Sequence, residues 1–166
     1  MRVHTIISGA QTGADRAALD AALALGIRVG GWVPKGRKAE DGTVPAPYPN
    51  LCETHDDDYE TRTRWNVRDA DATLIFSHGP LTGGSQFTAQ VASAMGKPFR
   101  HVDLAAVSVA EAVKIIRVWL AGLEGETLNV AGTRASGDPA IYEKTREIMT
   151  RLLRRVSDAL PHLDRD

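Results

Sequence analysis

The sequence has little that would place the protein in an oxidising compartment or in a membrane. It contains a single cysteine, Cys52, so no internal disulfide can form. No apolar run approaches the roughly 18 residues that span a bilayer. Residues 1–4 lead directly into a predicted strand and not into the apolar region of a signal peptide. We therefore expect a cytoplasmic protein that makes no contact with membranes.

An excess of charge of either sign is also lacking. The chain has 20 Lys and Arg residues and 21 Asp and Glu residues, which gives a formal net charge of -1. No global field then favours a nucleic-acid backbone, so we expect no nucleic-acid partner and only a local anion site. The cysteine and the five histidines show no zinc-binding spacing, and no metal site is predicted.

Strand-like and helix-like segments alternate along the 166 residues, of which 43% are hydrophobic. The predicted strands are 3–8, 27–33, 72–76, 98–102 and 127–131, and the predicted helices are 14–25, 59–69, 82–95, 109–120 and 141–160. Residues 34–58 hold four prolines and are predicted to be an irregular connection, and the tail after Pro161 is expected to fray. This order predicts one α/β domain over 1–166, a Rossmann-like three-layer sandwich with a mostly parallel central sheet and helices on both faces.

The turn after the first predicted strand has the residues of an anion cradle. Gly9 and Gly13 permit close backbone approach, Thr12 and Asp15 have the spacing of a capping box, and Arg16 follows. The spacing is neither G-x-G-x-x-G nor that of a Walker P-loop. A helix cap beside a solvated arginine would use the same residues, so the turn alone leaves both interpretations open.

After the second strand, a dinucleotide-binding fold would place an acidic residue for a ribose hydroxyl. Here Lys35, Arg37 and Lys38 follow instead, with Gly36 between them. Three cations in four residues favour a phosphate or another anion over a neutral sugar edge. A solvated basic loop is the alternative for this run.

The turn after the third predicted strand is the richest in glycine. Gly79, Gly83 and Gly84 fall within six residues, and Thr82 and Ser85 flank the adjacent pair. Small residues at a helix start let several backbone N–H groups converge on one anion, and either hydroxyl can add a donor. A turn needs only one glycine, so this segment favours a phosphate nest.

The turn after the fifth strand contributes Asn129, Gly132 and Arg134. No single turn is sufficient, because an exposed helix N-terminus contributes about 0.3 to 1 kcal/mol and a charge-assisted hydrogen bond about 1.5 to 3 kcal/mol. Micromolar affinity needs about 8 kcal/mol. In a parallel sheet the carboxyl ends of strands form the ligand site, so we predict a composite site built from several turns with help from Arg16, Lys35 or Arg134.

Six blocks of the sequence, in order and over nearly the whole chain, resemble the molybdenum carrier family. They are SGAQTGADRAALD at 8–20, GGWVPKG at 30–36, AEDG at 39–42, RWNVRDAD at 64–71, GPLTGGS at 79–85 and LNVAG at 128–132. That family looks like a branch of the Rossmann-like group that contains lysine-decarboxylase-like phosphoribohydrolases and nucleotide-sensing domains.

The resemblance implies a homo-oligomeric protein that holds the molybdenum cofactor (molybdopterin), a pterin with a terminal phosphate, as a carried ligand until a molybdoenzyme apoprotein receives it. The ligand-binding residues that it implies are Gly9, Gln11, Thr12, Gly13, Lys35, Thr82, Gly83, Gly84, Ser85 and Arg134. The analysis of the turns adds Asp15, Arg16, Asn129 and Gly132 to this set.

Two other functions suit the same phosphate cradle, namely a nucleotide sensor and an enzyme that hydrolyses the N-glycosidic bond of a nucleoside monophosphate. Such hydrolysis needs a carboxylate near the sugar, and residues 72–102 contain neither Asp nor Glu. We therefore predict a binding protein without catalytic residues, although Asp15 or Asp41 could reach the site from another loop. Trp65 is expected in the core, and Asn66 and Arg68 face either solvent or the site.

Overall fold

The computed structural model of the protein describes residues 1–159, in which thirteen helices and strands follow one another. The strands are β1 Thr5–Ile7, β2 Arg28–Val33, β3 Lys38–Ala39, β4 Gly42–Thr43, β5 Leu51–Glu53, β6 Ala72–Ser77, β7 Phe99–Asp103 and β8 Thr127–Gly132. The helices are α1 Ala14–Ala24, α2 Tyr59–Asp69, α3 Gly83–Ala94, α4 Val109–Ala121 and α5 Ile141–Ala159. The expected fraying after Pro161 and the last predicted helical residue, 160, lie outside the described residues.

Six strands form one sheet in the order β5-β2-β1-β8-β6-β7, and every neighbouring pair is parallel. The last strand of the chain, β8, lies in the middle of the sheet between β1 and β6. All six residues of β6 are buried, which explains its unbroken apolar run in the sequence. The predicted α/β, Rossmann-like arrangement is confirmed.

The helices form two layers around this sheet. Helix α1 packs against α5, and α5 packs against α4, while α2 and α3 pack against each other. The main hydrophobic core includes Ile6, Leu19, Leu128 and Ile148, all essentially inaccessible to solvent. A smaller cluster of Val67, Val91 and Ala92 lies between α2 and α3. Within residues 1–159, no helix is long and apolar enough to cross a membrane.

The prediction that residues 34–58 are irregular is wrong at three places. Lys35–Arg37 forms a 3-10 turn, β3 and β4 pair as a short antiparallel hairpin, and β5 adds a parallel edge strand to β2. These segments have two or three residues and, unlike β1, are not part of a longer apolar run by which a strand is recognised. Their pairing depends on neighbours that are distant in sequence, as with Trp32 opposite Cys52.

Candidate functional site

A cavity of about 710 Å³ opens at the carboxyl edge of the sheet. Because β1, β8 and β6 are adjacent and parallel, the turns that follow them meet at this edge, and the start of α2 forms the facing wall. The sequence-predicted ligand residues that line the cavity are Gly9, Gln11, Asp15, Thr82, Gly83, Gly84, Ser85, Asn129, Gly132 and Arg134. The structure therefore brings together residues from the three turns and from the ends of the adjoining elements, since Asn129 and Gly132 lie in β8 and Asp15 lies in α1.

The N-terminus of α3 lies open to this cavity. Thr82 occupies the N-cap position in an extended conformation, yet its side chain makes no capping hydrogen bond. The first N–H groups of a helix have no acceptor within the helix. A Cβ added at Gly83 or Gly84 would meet no atom of residues 1–159 within 4 Å, so the space beside these two glycines is open. These donors and the positive end of the helix dipole are available to an anion.

A second uncommitted donor belongs to Gln11, whose side chain is 5% exposed. Its Oε1 accepts hydrogen bonds from the backbone N–H groups of Thr12 at 3.1 Å and Glu40 at 2.9 Å. Its Nε2 is buried and finds no hydrogen-bond partner in the described part of the chain. A buried donor without a partner costs about 1 to 3 kcal/mol, so this amide suits an acceptor atom brought by a ligand.

A buried ion pair forms the floor of the cavity. Arg62 donates from Nη1 to the Gly9 carbonyl oxygen at 2.9 Å and from Nε to the Tyr59 carbonyl oxygen at 3.2 Å. Its Nη1 lies 3.5 Å from the Asp15 carboxylate, and both side chains are at most 10% exposed. Burial lowers the pKa of Arg62 and raises the pKa of Asp15, while their mutual attraction opposes both shifts. Arg62 is thus bound to the protein itself.

Arg134 is the cavity-lining arginine with free donors. Its side chain is 41% exposed and makes no hydrogen bond within residues 1–159. The guanidinium carbon lies 5.4 Å from the centre of the Tyr59 ring, and Nε lies 3.9 Å from a Glu40 carboxylate oxygen. These contacts hold Arg134 at the cavity wall and leave its N–H groups for a ligand.

Thr12 and Gly13 do not line the cavity, because their turn is closed by protein groups. The Thr12 hydroxyl donates to Glu40 and accepts from the Ala135 N–H at 3.1 Å. A Cβ at Gly13 would lie 2.4 Å from the Thr133 carbonyl oxygen, and the residue has φ +83°. Gly13 therefore serves close packing between the turns after β1 and β8.

Arg16 and Lys35 also lie outside the cavity lining. Arg16 forms two hydrogen bonds to Asp41, at 2.5 and 2.8 Å, and a third to the Ala10 carbonyl oxygen at 3.0 Å. Lys35 is exposed on the 3-10 turn. Residues 34–57 contribute nothing to the cavity lining. Arg16 is thus bound to the hairpin, whereas Lys38 of the basic run lies 5.0 Å from the ring centre of the cavity-lining Tyr59.

Helix α2 supplies cavity residues that sequence reasoning missed or left open. Asn66 is buried, lines the cavity and pairs with both backbone polar groups of Trp32, at 2.8 and 2.9 Å. Arg68 pairs with Asp69 and does not line the cavity. Trp65 is only half-buried, edge-on to Trp32, so its predicted core position is wrong. Polar residues such as Arg62 within a polar helix gave no signal, because solvated helix faces have the same composition.

The remaining lining residues add acidic and aromatic side chains to the cavity. Asp58 and Glu60 line the cavity at the start of α2, where Asp58 accepts the Glu60 N–H and the Glu60 carboxylate lies 3.5 Å from Arg64 Nη1. Tyr59 and Phe87 add aromatic rings. One end therefore offers N–H donors to an anion, and the α2 side offers acceptors and flat apolar surface. In the described part of the chain, no group of three His, Cys, Asp or Glu side chains is placed to hold a metal ion.

The fold and the sequence are similar to those of known proteins. A family model described as the circularly permutated YpsA SLOG family matches residues 6–153. The crystal structure of a protein named "Putative molybdenum carrier protein" from Syntrophus aciditrophicus is 48% identical in sequence, covers 92% of this chain and 96% of that chain, and superposes with a TM-score of 0.89. No curated protein matches the chain.

These findings confirm the resemblance that the six sequence blocks indicated. Circular permutation changes the order of strands along a chain without changing their places in the sheet. The position of β8, last in sequence and central in the sheet, is compatible with such a rearrangement. The chain belongs to the circularly permutated YpsA SLOG family.

Proposed function

We propose that the cavity binds the phosphate of a phosphorylated pterin and that the protein is a carrier of the molybdenum cofactor. The observation that carries this proposal is the uncapped N-terminus of α3, whose two glycines leave open space in front of free N–H groups. The name of the Syntrophus aciditrophicus protein supports the choice of a molybdenum-related ligand.

The donor set of the cavity suits such a ligand. The unpartnered Nε2 of Gln11 and the half-exposed guanidinium of Arg134 supplement the α3 N-terminus as donors to a phosphate. Asp58 and Glu60 provide acceptors for the N–H groups of a pterin ring, and Phe87 provides apolar surface. The volume of about 710 Å³ lies within the range of about 300 to 1,000 Å³ that is usual for small-molecule sites.

The proposal extends to the biological setting of the protein. It comprises one domain over residues 1–166, a homo-oligomeric state, a cytoplasmic location and transfer of the cofactor to a molybdoenzyme apoprotein. In this role the protein binds and protects its ligand, and no residue acts in catalysis.

One observation favours a second candidate. Residues 72–102 contain no Asp or Glu that could act in hydrolysis, but Asp58 and Glu60 of the α2 side line the cavity. A nucleoside monophosphate could bind its phosphate at α3 and approach these carboxylates with its sugar. The alternatives are therefore a nucleotide sensor and a hydrolase of the N-glycosidic bond.

The first experiment identifies the ligand. Protein made in a host that produces molybdenum cofactor, purified mildly, is analysed by native mass spectrometry, metal analysis and pterin fluorescence. We expect near-stoichiometric pterin. Absence of pterin together with steady release of free base from AMP would establish the hydrolase instead. A large rise in melting temperature with one nucleotide, without turnover, would favour the sensor.

A matched pair of variants tests the anion end. Gly84→Asp places a negative charge in the open space before α3, and Gly84→Asn adds a neutral side chain of similar size. A helix N-terminus tolerates both residues, so melting temperatures should stay close to that of the wild type. We expect Gly84→Asp to retain at least tenfold less pterin than Gly84→Asn. Equal retention would contradict phosphate binding at α3.

A further inference from the structure

We propose that Glu40 is a positioning residue that orients Gln11 and Arg134 toward the ligand from outside the cavity. The inference rests on the proposed anion site. Glu40 lies between β3 and β4, on a hairpin that contributes no cavity-lining residue. Its contacts nonetheless reach two of the groups that supply donors to the cavity.

The first contact sets the orientation of the Gln11 amide. The Glu40 backbone N–H donates to Gln11 Oε1 at 2.9 Å, and the Thr12 N–H donates to the same oxygen at 3.1 Å. An amide has its acceptor and its donors on opposite sides of one planar group. Two donors on Oε1 therefore fix Nε2 on the other side, where it has no partner among residues 1–159.

The second set of contacts joins two cavity-forming turns. The Glu40 carboxylate accepts the Thr12 hydroxyl from the turn after β1. It also accepts the Ser136 N–H at 3.1 Å and the Ser136 hydroxyl at 2.5 Å from the turn after β8. Arg134, two residues earlier in that turn, has its Nε 3.9 Å from the same carboxylate. The Glu40 side chain thus links the turn after β1 to the turn after β8, both of which contribute residues to the cavity.

The charge of Glu40 is maintained by these neighbours. Partial desolvation of the carboxyl acts to raise its pKa, but hydrogen bonds from Ser136 and Thr12 and the charge of Arg134 together lower it. At neutral pH the group is therefore a carboxylate that attracts the Arg134 guanidinium without closing a short hydrogen bond to it. This leaves the Arg134 N–H groups for an anion.

If the Glu40 carboxylate only stabilised the fold, its removal would weaken binding by the same factor with or without the Gln11 amide. Glu40→Ala keeps the backbone N–H that binds Gln11 Oε1 but removes the carboxylate that ties this part of the hairpin to Thr12 and Ser136. If the carboxylate positions that N–H, its removal should release Gln11 Oε1 and abolish the contribution of the Gln11 amide. A double-mutant cycle separates the two cases, because residues that act together give non-additive effects. The cycle comprises wild type, Gln11→Ala, Glu40→Ala and the double variant.

The probes are AMP and inorganic phosphate, titrated against each isotope-labelled protein by NMR, with melting temperatures measured in parallel. We expect each single variant to bind about tenfold more weakly and the double variant to bind no more than about twentyfold more weakly, instead of the hundredfold loss that independent effects would give. Asp41→Asn is the matched control, since Asp41 lies on the same hairpin tip and binds Arg16 outside the cavity. Its affinity for both probes should equal that of the wild type.

The outcomes separate this inference from the proposed function. If the wild type binds neither probe, the anion site itself and the role of Glu40 are both overturned. If the wild type binds and Gln11→Ala weakens binding, but Glu40→Ala does not or the losses are additive, only the role of Glu40 is overturned. Should Glu40→Ala fail to fold, Glu40→Gln takes its place. This variant removes the charge that faces Arg134, and a loss of less than twofold would likewise count against the inference.

Discussion

The glycine-rich turns before α1 and before α3 have similar compositions but lie in very different surroundings. In the turn before α1, protein groups occupy the polar atoms: the Ala14 N–H donates to the Thr133 carbonyl oxygen at 3.2 Å, and the Gln11 N–H donates to Asp15 at 3.2 Å. In the turn before α3, Thr82 makes no side-chain capping bond and Gly84 faces open space. The first turn is closed by the protein at Thr12 and Gly13, and the second is open at Gly83 and Gly84.

A glycine-rich turn in a sequence therefore indicates where backbone N–H donors lie, but not whether other protein groups already bind them. The turn before α1 lies between the hairpin of β3 and β4 and the turn after β8, and each donates a backbone N–H to it, from Glu40 to Gln11 Oε1 and from Ala135 to the Thr12 hydroxyl. The turn before α3 is bound to the protein at its start, where the Gly79 N–H donates to Asp103, but among the described residues nothing lies within 4 Å of a Cβ placed at Gly83 or Gly84. We therefore expect substitutions at Thr12 and Gly13 in the first turn to change stability, and substitutions at Gln11 or at the glycines of the second turn to change binding.

The largest expected effect is on the buried floor beneath the first turn. Arg62→Met would leave the Asp15 carboxylate buried without its cation and the Gly9 carbonyl oxygen without its donor. Removing one partner of a buried pair costs about 3 to 5 kcal/mol. Urea denaturation should show this loss, while Arg134→Met, half-exposed in the same cavity, should lose less than about 1 kcal/mol. Equal losses would show that burial does not distinguish the two arginines.

The next effect compares the two turns directly. Gly13→Ala forces a Cβ to within 2.4 Å of the Thr133 carbonyl oxygen at φ +83°, and a strained position of this kind costs about 3 kcal/mol. Gly84→Ala meets no atom within 4 Å and should stay within about 0.5 kcal/mol of the wild type. Denaturation midpoints of the two variants test this ranking. A loss at Gly84 as large as that at Gly13 would remove the distinction between closed and open turns.

Much of the fold could be predicted from the sequence because the helices and the buried strands are long enough to show their periods. Helix α2 was predicted at its observed bounds, and the buried run of β6 was predicted to within one residue. Strands β3, β4 and β5 could not be predicted. They have two or three residues each, and only their partners across space define them.

For the cavity, the sequence predicted the turns but not the assignment of donors among them. Gln11 and Arg134 line the cavity as expected, whereas Arg16 turns to Asp41 on the hairpin. The sequence does not indicate that a hairpin forms at 38–43, or that its Asp41 pairs with the guanidinium of Arg16. Whether the lining residues bind a ligand stays a prediction for the experiments above.

A smaller effect concerns the carboxylate that closes the first turn. The folded pKa of Glu40 lies below its ordinary value of 4.5, so the carboxylate stabilises the fold above that value. The stabilisation is lost as pH falls through the folded pKa. The free energy of unfolding of the wild type should exceed that of Glu40→Gln by about 1 kcal/mol at pH 7. This difference in stability should shrink toward pH 3. Denaturation at both pH values measures it, and a difference that grew on acidification would have the wrong sign.

The smallest effect is expected at the cap of the open turn. Ser108 forms a complete capping box with Glu111 at the start of α4, so Ser108→Ala should cost about 1 kcal/mol. Thr82→Ala removes a side chain that makes no capping bond at α3 and should change stability by less than about 0.5 kcal/mol. Because both residues occupy N-cap positions, their denaturation midpoints compare a satisfied helix end with an open one. A cost at Thr82 equal to that at Ser108 would mean that the hydroxyl caps α3 in solution, leaving fewer N–H groups for an anion.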